Sequence, residues 1–261
     1  MRFSDTLNTI AAHEKGWTAV IGEDWSQGRA TFGGMVAALG NEAMRRLVPA
    51  DRQLRSLETI FVGPALAGAV QIEAEVLRTG KSVTIASARL WSGNQVAATF
   101  TGVYGAPRSA AISITPPAAS EVRSGDFLEP PFSRMRPPFA QHFGQRWAAG
   151  IHPFAGSTLT SCKTFVRHKD GLAMTESHVV ALVDCIPSVV LQMMNTPAPS
   201  SSLTWTLQFL KHDFPFAPDA WWRIDAEVNS AGEGYSCESS VLFDPTGAPV
   251  ALSRQMVAVF G

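Results

Sequence analysis

Two stretches of this chain nearly repeat one another. Ile72-Glu73-Ala74-Glu75-Val76, followed by Gly80 and by Val103-Tyr104-Gly105, returns as Ile224-Asp225-Ala226-Glu227-Val228, Gly232 and Val259-Phe260-Gly261. A duplication of this length constrains the fold more tightly than composition does. Two units must share one architecture, and where they differ marks where chemistry has been kept or lost.

Each unit has the same order of predicted elements. In the first, a weak N-terminal helix and a short strand at Trp17–Trp25 precede a helix over Phe32–Leu47, which has few β-branched residues and stops before Pro49. Its first half, Gly33-Gly34-Met35-Val36-Ala37-Ala38-Leu39-Gly40, is apolar on nearly every face, so a sheet must wrap it. Strands follow at Leu54–Val62, Val70–Thr79, Val83–Trp91 and Gln95–Tyr104, with turns close enough to make them antiparallel neighbours. The second unit reads as extended segments at Gln145–Ala149 and Leu159–Val166, then a buried helix over Ser177–Met194. Pro187 either kinks that helix or sits in its first turn, with Asp184 near the start. Strands are then expected at Leu203–Leu210, Trp221–Val228, Tyr235–Phe243 and Val250–Phe260. Between the units, residues 106–138 hold Pro107, Pro116, Pro117, Pro130, Pro131, Pro137 and Pro138, a composition suited to a connector. The expected domains are therefore 1–105, the connector 106–138, and 139–261. The class is α+β, a double hotdog in which each unit is a long buried helix wrapped by a curled antiparallel sheet.

Bulk properties exclude several functions. A chain of 261 residues, 46% hydrophobic, can bury a large core. A net charge near −1, with no basic stripe, argues against nucleic acid as a partner. No stretch approaches a membrane span, and the odd set Cys162, Cys185 and Cys237 lacks CxxC spacing. A soluble cytoplasmic protein without disulfides or metal is the expectation. No G-x-S-x-G elbow is present, Gly80-Lys81-Ser82 lacks the rest of a phosphate loop, and the six histidines show no metal-ligand spacing.

Phe32-Gly33-Gly34 opening the first helix, and Leu57–Leu66 followed by Glu75-Val76-Leu77-Arg78-Thr79-Gly80-Lys81-Ser82, resemble the acyl-CoA thioesterases of the thioesterase II (TesB-like) type. That resemblance implies an Asp, a hydroxyl and a Gln holding a water against a thioester, with coenzyme A only as part of substrate and product and no cofactor. Carried over by position, these are Asp184 in Val180-Ala181-Leu182-Val183-Asp184, Ser202, and Gln255 in Leu252-Ser253-Arg254-Gln255-Met256-Val257. Serine replaces the family's usual threonine, and Ser201, Thr204 and Thr206 are neighbouring hydroxyls. Substrate contacts are expected from Gly33, Gly34, His178, Thr204 and Trp205, with Trp221 and Trp222 as further candidates for an acyl tunnel.

The chemistry of the trio stands without the resemblance. A thioester is an activated acyl donor, so hydrolysis needs a positioned water, a base, and donors for the developing oxyanion. Aligning the units by their helices sets Asn41 opposite Asp184, Ser56 opposite Ser202 and Thr99 opposite Gln255. An amide cannot act as base, so one working site per chain is expected. Plainer readings exist for each residue: a carboxylate in an apolar helix commonly caps or braces, a strand glutamine commonly faces solvent, and a Gly-Gly pair commonly serves close packing. The alternatives are a non-catalytic acyl-binding protein and a hotdog hydratase or dehydratase, which would want a His paired with its Asp. No His lies within six residues after Asp184. Exposed sheet edges make a homodimer or larger assembly the expected form.

Overall fold

A computed structural model describes residues 1–114, 116–121 and 136–260. In chain order the elements are α1 (Phe3–Asn8), β1 (Ala11–His13), β2 (Gly16–Ile21), β3 (Ser26–Gln27), β4 (Ala30–Thr31), α2 (Gly33–Arg45), β5 (Gln53–Phe61), β6 (Gly68–Thr79), β7 (Val83–Ser92), and β8 (Gln95–Gly105). There follow β9 (Phe143–Ala149), β10 (Ser161–His168), α3 (Glu176–Val183), β11 (Ser200–Phe209), β12 (Trp222–Gly232), β13 (Tyr235–Phe243) and β14 (Pro249–Val259), with a 3-10 turn at Val189–Met193 between α3 and β11. The described connector residues between β8 and the Pro138–His142 turn form no helix or strand, and Pro130 and Pro131 lie outside the described residues. No helix among the described residues is long and apolar enough to cross a membrane.

Twelve of these strands form one antiparallel sheet in the order β1-β2-β6-β7-β8-β5-β11-β14-β13-β12-β10-β9, and β3 and β4 pair separately. This order is a palindrome of equivalent strands. The halves meet at β5 and β11, where Leu57 pairs with Leu207 and Thr59 with Trp205. Strand pairing confirms part of the repeat: β6 and β12 each carry a bulge just after the shared Val, at Val76/Arg78 and Val228/Ser230. The terminal echo is out of register, however. Leu57 pairs with Gly102 and its counterpart Trp205 with Gln255, so Val103 corresponds to Met256 rather than Val259; Gly261 is outside the described residues.

Helices α2 and α3 lie antiparallel against each other on the inner face of the sheet. Asn41 meets Ser177 toward one end, and Gly34 faces Ala181 toward the other. Gly34 is required there, because an added Cβ would stand 2.5 Å from the Phe32 ring and 3.0 Å from Ala181 Cα. Ten of the thirteen α2 residues are buried.

The second helix is shorter than the sequence suggested. It ends at Val183, with Asp184 as its C-cap, and Pro187 falls in the break before the 3-10 turn, neither inside a helix nor in its first turn. Proline lacks the N–H a continuing helix would need and pushes the preceding residue toward extended backbone. The helix therefore stops ahead of it, leaving Asp184 at a helix end.

Candidate active site

The end of α3 points its last carboxylate at the start of α2. The backbone N–H of Gly34 favours the ionised form of Asp184, as expected where an acidic group faces a helix N-terminus. The N-cap of α2, Phe32, supplies no side-chain cap, so a residue from the other half of the chain takes that role. Gly33 makes the approach possible: a Cβ there would lie 2.9 Å from Asp184 Oδ2 and 3.1 Å from Phe61 Cζ.

Gln255 on β14 donates from Nε2 to Asp184 Oδ1 at 2.7 Å, and Ser202 on β11 donates from Oγ to Gln255 Oε1 at 3.3 Å. The amide is thus oriented from both ends. Ser202 and Gln255 are not direct ladder partners, since Gln255 pairs with Trp205 and Ser202 with Val257. A bulge at Ser202/Thr204 makes Leu203 the extra residue, and this turns Ser202 toward the glutamine. Burial pushes the Asp184 carboxyl up to about 7, against the smaller opposing effects of the Gln255 and Gly34 hydrogen bonds. A carboxyl poised near neutrality inside a cleft can exchange a proton with a bound reactant.

The cleft in front of this cluster is walled by Val183, Ile186, Pro187, Glu238, Ser240 and Ser253. Glu238, a neighbour of Gln255 across β13 and β14, was not singled out in the sequence. It is 7% exposed and accepts hydrogen bonds from Ser188 Oγ (2.5 Å), Val189 N (2.9 Å), Val190 N (3.1 Å) and Ser236 Oγ (3.0 Å). It therefore pins the segment that follows Pro187. Its signal was available: in Ser236-Cys237-Glu238, alternation puts a carboxylate on the strand's inner face, where an unpaired charge is costly.

The other expected contacts are spread more widely. Trp205 is buried and donates from Nε1 to Ser253 Oγ at 2.8 Å, bracing the cleft wall from behind. Thr204 is exposed on the opposite side of its strand. His178 sits in the first turn of α3, with Nε2 3.1 Å from Asp170 Oδ2 and 3.2 Å from Ser4 Oγ, and Nδ1 2.8 Å from Thr175 Oγ1. Its ring ties α3 to α1 and is not brought to the Asp184 cluster. Trp221 is flanked by the Arg146 and Arg167 guanidinium groups, 4.6 and 4.5 Å from its ring centre, and Trp222 packs against Phe214 and Phe216.

The equivalent position in the first half is filled. Asn41, at the same place in α2 as Asp184 after α3, accepts from Tyr104 OH at 2.8 Å and donates to Ser177 Oγ at 3.1 Å. Register makes Gly102 the counterpart of Gln255 and Leu54 that of Ser202, correcting the expected pairings with Thr99 and Ser56. The error arose because the chain length from helix to strands differs between the halves, so an alignment made on Asn41 and Asp184 slips before it reaches β5 and β11 and slips again by β8 and β14. Tyr104 lays its ring over Gly102, 2.6 Å from where a Cβ would stand, and occupies the room a glutamine side chain would need. This half offers no carboxylate in that position.

Solved structures with this architecture have the hotdog fold. A conserved hotdog protein of unknown function from Alicyclobacillus acidocaldarius superposes with a TM-score of 0.83 at 19% identity, over 99% of this chain and 98% of that one. The acyl-CoA thioesterase II TesB2 of Mycobacterium marinum gives 0.75 at 17% identity, over 98% of each chain. The tesB protein of Mycobacterium avium subspecies paratuberculosis gives 0.76 at 16% identity, over 99% and 100%. No curated protein sequence matches the chain. The chain belongs to the acyl-CoA thioesterase family: the family's N-terminal domain matches residues 21–105 and its C-terminal domain residues 116–259.

Proposed function

We propose that this protein is a double-hotdog acyl-CoA thioesterase with one reaction site per chain, built from Asp184, Gln255 and Ser202. The observation that carries the reading is the hydrogen-bonded run from Ser202 through Gln255 to Asp184, ending at the N-terminus of α2. In its ionised form Asp184 takes the proton of a water held by the second Nε2 hydrogen of Gln255 and by the Ser202 oxygen. That water attacks the thioester carbonyl. The positive end of α2 faces the developing oxyanion, and collapse of the tetrahedral species expels the coenzyme A thiolate. Placement of water, base and donors before reaction supplies the rate gain, with general-base assistance contributing about 10²–10⁴-fold.

The filled Asn41–Tyr104 position supports one site rather than two. A binding protein without turnover is the alternative, and release of free thiol from acyl-CoA esters separates the two. The wild type should release thiol, and Asp184→Asn, which preserves shape and the bond to Gly34, should lose about 10²–10⁴-fold of kcat. Undiminished turnover in Asp184→Asn with an unchanged melting profile would remove Asp184 from the mechanism.

A further inference from the structure

The segment that carries Asp184 lies outside helix and strand. It runs from Asp184, the C-cap of α3, to Ser188, which opens the Val189–Met193 turn without a side-chain cap. Buried N–H and C=O groups in such a stretch must find partners one at a time, because each unpaired group costs stability. Two side chains from the sheet supply them. Gln145 on β9, 5% exposed, donates from Nε2 to the carbonyl of Cys185 at 2.5 Å, one residue past Asp184. Glu238 on β13 accepts from the N–H groups of Val189 and Val190 and from the Ser188 hydroxyl at the other end. Strands β12 and β10 stand between β13 and β9, so the sheet holds the segment at two separated points. Pro187, with its fixed φ, lies between them.

We infer, resting on the thioesterase reading, that Gln145 is a positioning residue for the reaction: it fixes the backbone beside Asp184 so that the carboxylate stays aimed at Gln255 and the start of α2. Glu238 is its counterpart at the far end of the segment. The contacts of the carboxylate itself do not do this. Gln255 donates to Oδ1 and the Gly34 N–H faces the same group, so both act at the tip of a side chain whose torsions remain free to follow the backbone. Gln145 instead holds the peptide from which that side chain departs. It is not among the residues that wall the cleft, so its only route to the chemistry is through the chain at Cys185. Burying an amide on the inner face of an edge strand is costly unless the amide is paired, and the Cys185 carbonyl is the partner that makes glutamine fit there.

The test is kcat and KM for thiol release in Gln145→Met, which keeps the length of the side chain without its N–H, read alone and in the Asp184→Asn background. Alone, the substitution should lower kcat about tenfold, part of the roughly 10²-fold that an ångström of misplacement costs, and leave KM within about twofold. In the Asp184→Asn background it should change kcat by less than about twofold, because a residue that acts through the base then has nothing left to position. Glu238→Gln, which keeps the shape but puts an amide before the Val189 and Val190 N–H groups, carries the same cycle if Gln145→Met does not fold. Equal losses in the two backgrounds overturn the inference while leaving the thioesterase reading intact. So does wild-type kcat in Gln145→Met, or a rise in KM with kcat unchanged. No thiol release from any ester by the wild type overturns the thioesterase reading, and the inference with it.

Discussion

At the scale of single residues, the site rests on one carboxylate whose surroundings pull in opposite directions. Burial favours the neutral acid, whereas the Gln255 amide and the Gly34 N–H favour the ionised form, and burial wins by enough to leave Asp184 near 7. Removing the amide donor should tip the balance further. In Gln255→Leu the rising limb of the pH–rate profile should move above that of the wild type, and kcat/KM should fall about 10- to 100-fold, the value of one hydrogen bond to a charged group. An unmoved limb in this variant would mean that Gln255 does not tune Asp184. Asp184 and Gln255 were carried over by position from the family resemblance, and the fold brings them into a hydrogen bond with each other. The order of their bonds was not legible in the sequence, since Ser202 reaches Gln255 only through a bulge that no local signal marks. Glu238 escaped notice because its four partners come from a turn, Ser188 to Val190, and from Ser236, and only the folded chain brings those together.

At the scale of elements, two helix ends make the site. The end of α3 delivers Asp184, and the glycine-opened start of α2 receives it. Gly33→Ala tests this meeting, because the new Cβ would crowd Asp184 Oδ2 and the Phe61 ring edge. Both neighbours are the far ends of side chains that can yield, and alanine favours a helix by up to about 1 kcal/mol over glycine. Stability should therefore change by less than about 1 kcal/mol, while a carboxylate displaced by an ångström should cost about 10²-fold in kcat. A loss of stability without loss of activity, measured by urea unfolding and thiol release, would make Gly33 a packing residue alone. Strands and the α2 helix were readable from period and breakers. The length of α3 was misread because apolar residues continue on both sides of Pro187 in Ser177–Met194, so the proline could be taken for a kink or a first turn rather than for the stop it imposes.

At the scale of the whole molecule, the two halves are joined too thoroughly to act separately. The sheet runs unbroken across β5 and β11, the helices pack against each other, and α1 reaches over to the other half, where Ser4 donates to Asp170 and Phe3 lies 4.8 Å from the His178 ring. The site itself needs both halves, since Gly33 and Gly34 come from one and Asp184, Gln255 and Ser202 from the other. Unfolding in denaturant should be a single transition. Leu207→Ala, which removes a fully buried side chain from the seam opposite Leu57, should cost about 2–5 kcal/mol without splitting that transition. Two separate transitions would show halves that fold independently. The duplication foretold paired units. It could not foretell that one half's carboxylate would cap the other half's helix, because that contact depends on the antiparallel pairing of α2 and α3, which no sequence period encodes.

The pH dependence of kcat/KM for thiol release from an acyl-CoA ester, run on the wild type beside Asp184→Asn, tests the central claim most directly. A base acts only when ionised, so the wild type should gain activity as pH rises and level off above an apparent pKa of about 7. The asparagine variant should be slower by about 10²-fold or more and lack that limb. A wild-type profile that is flat through neutrality, or a variant that keeps both the limb and the rate, would contradict the account.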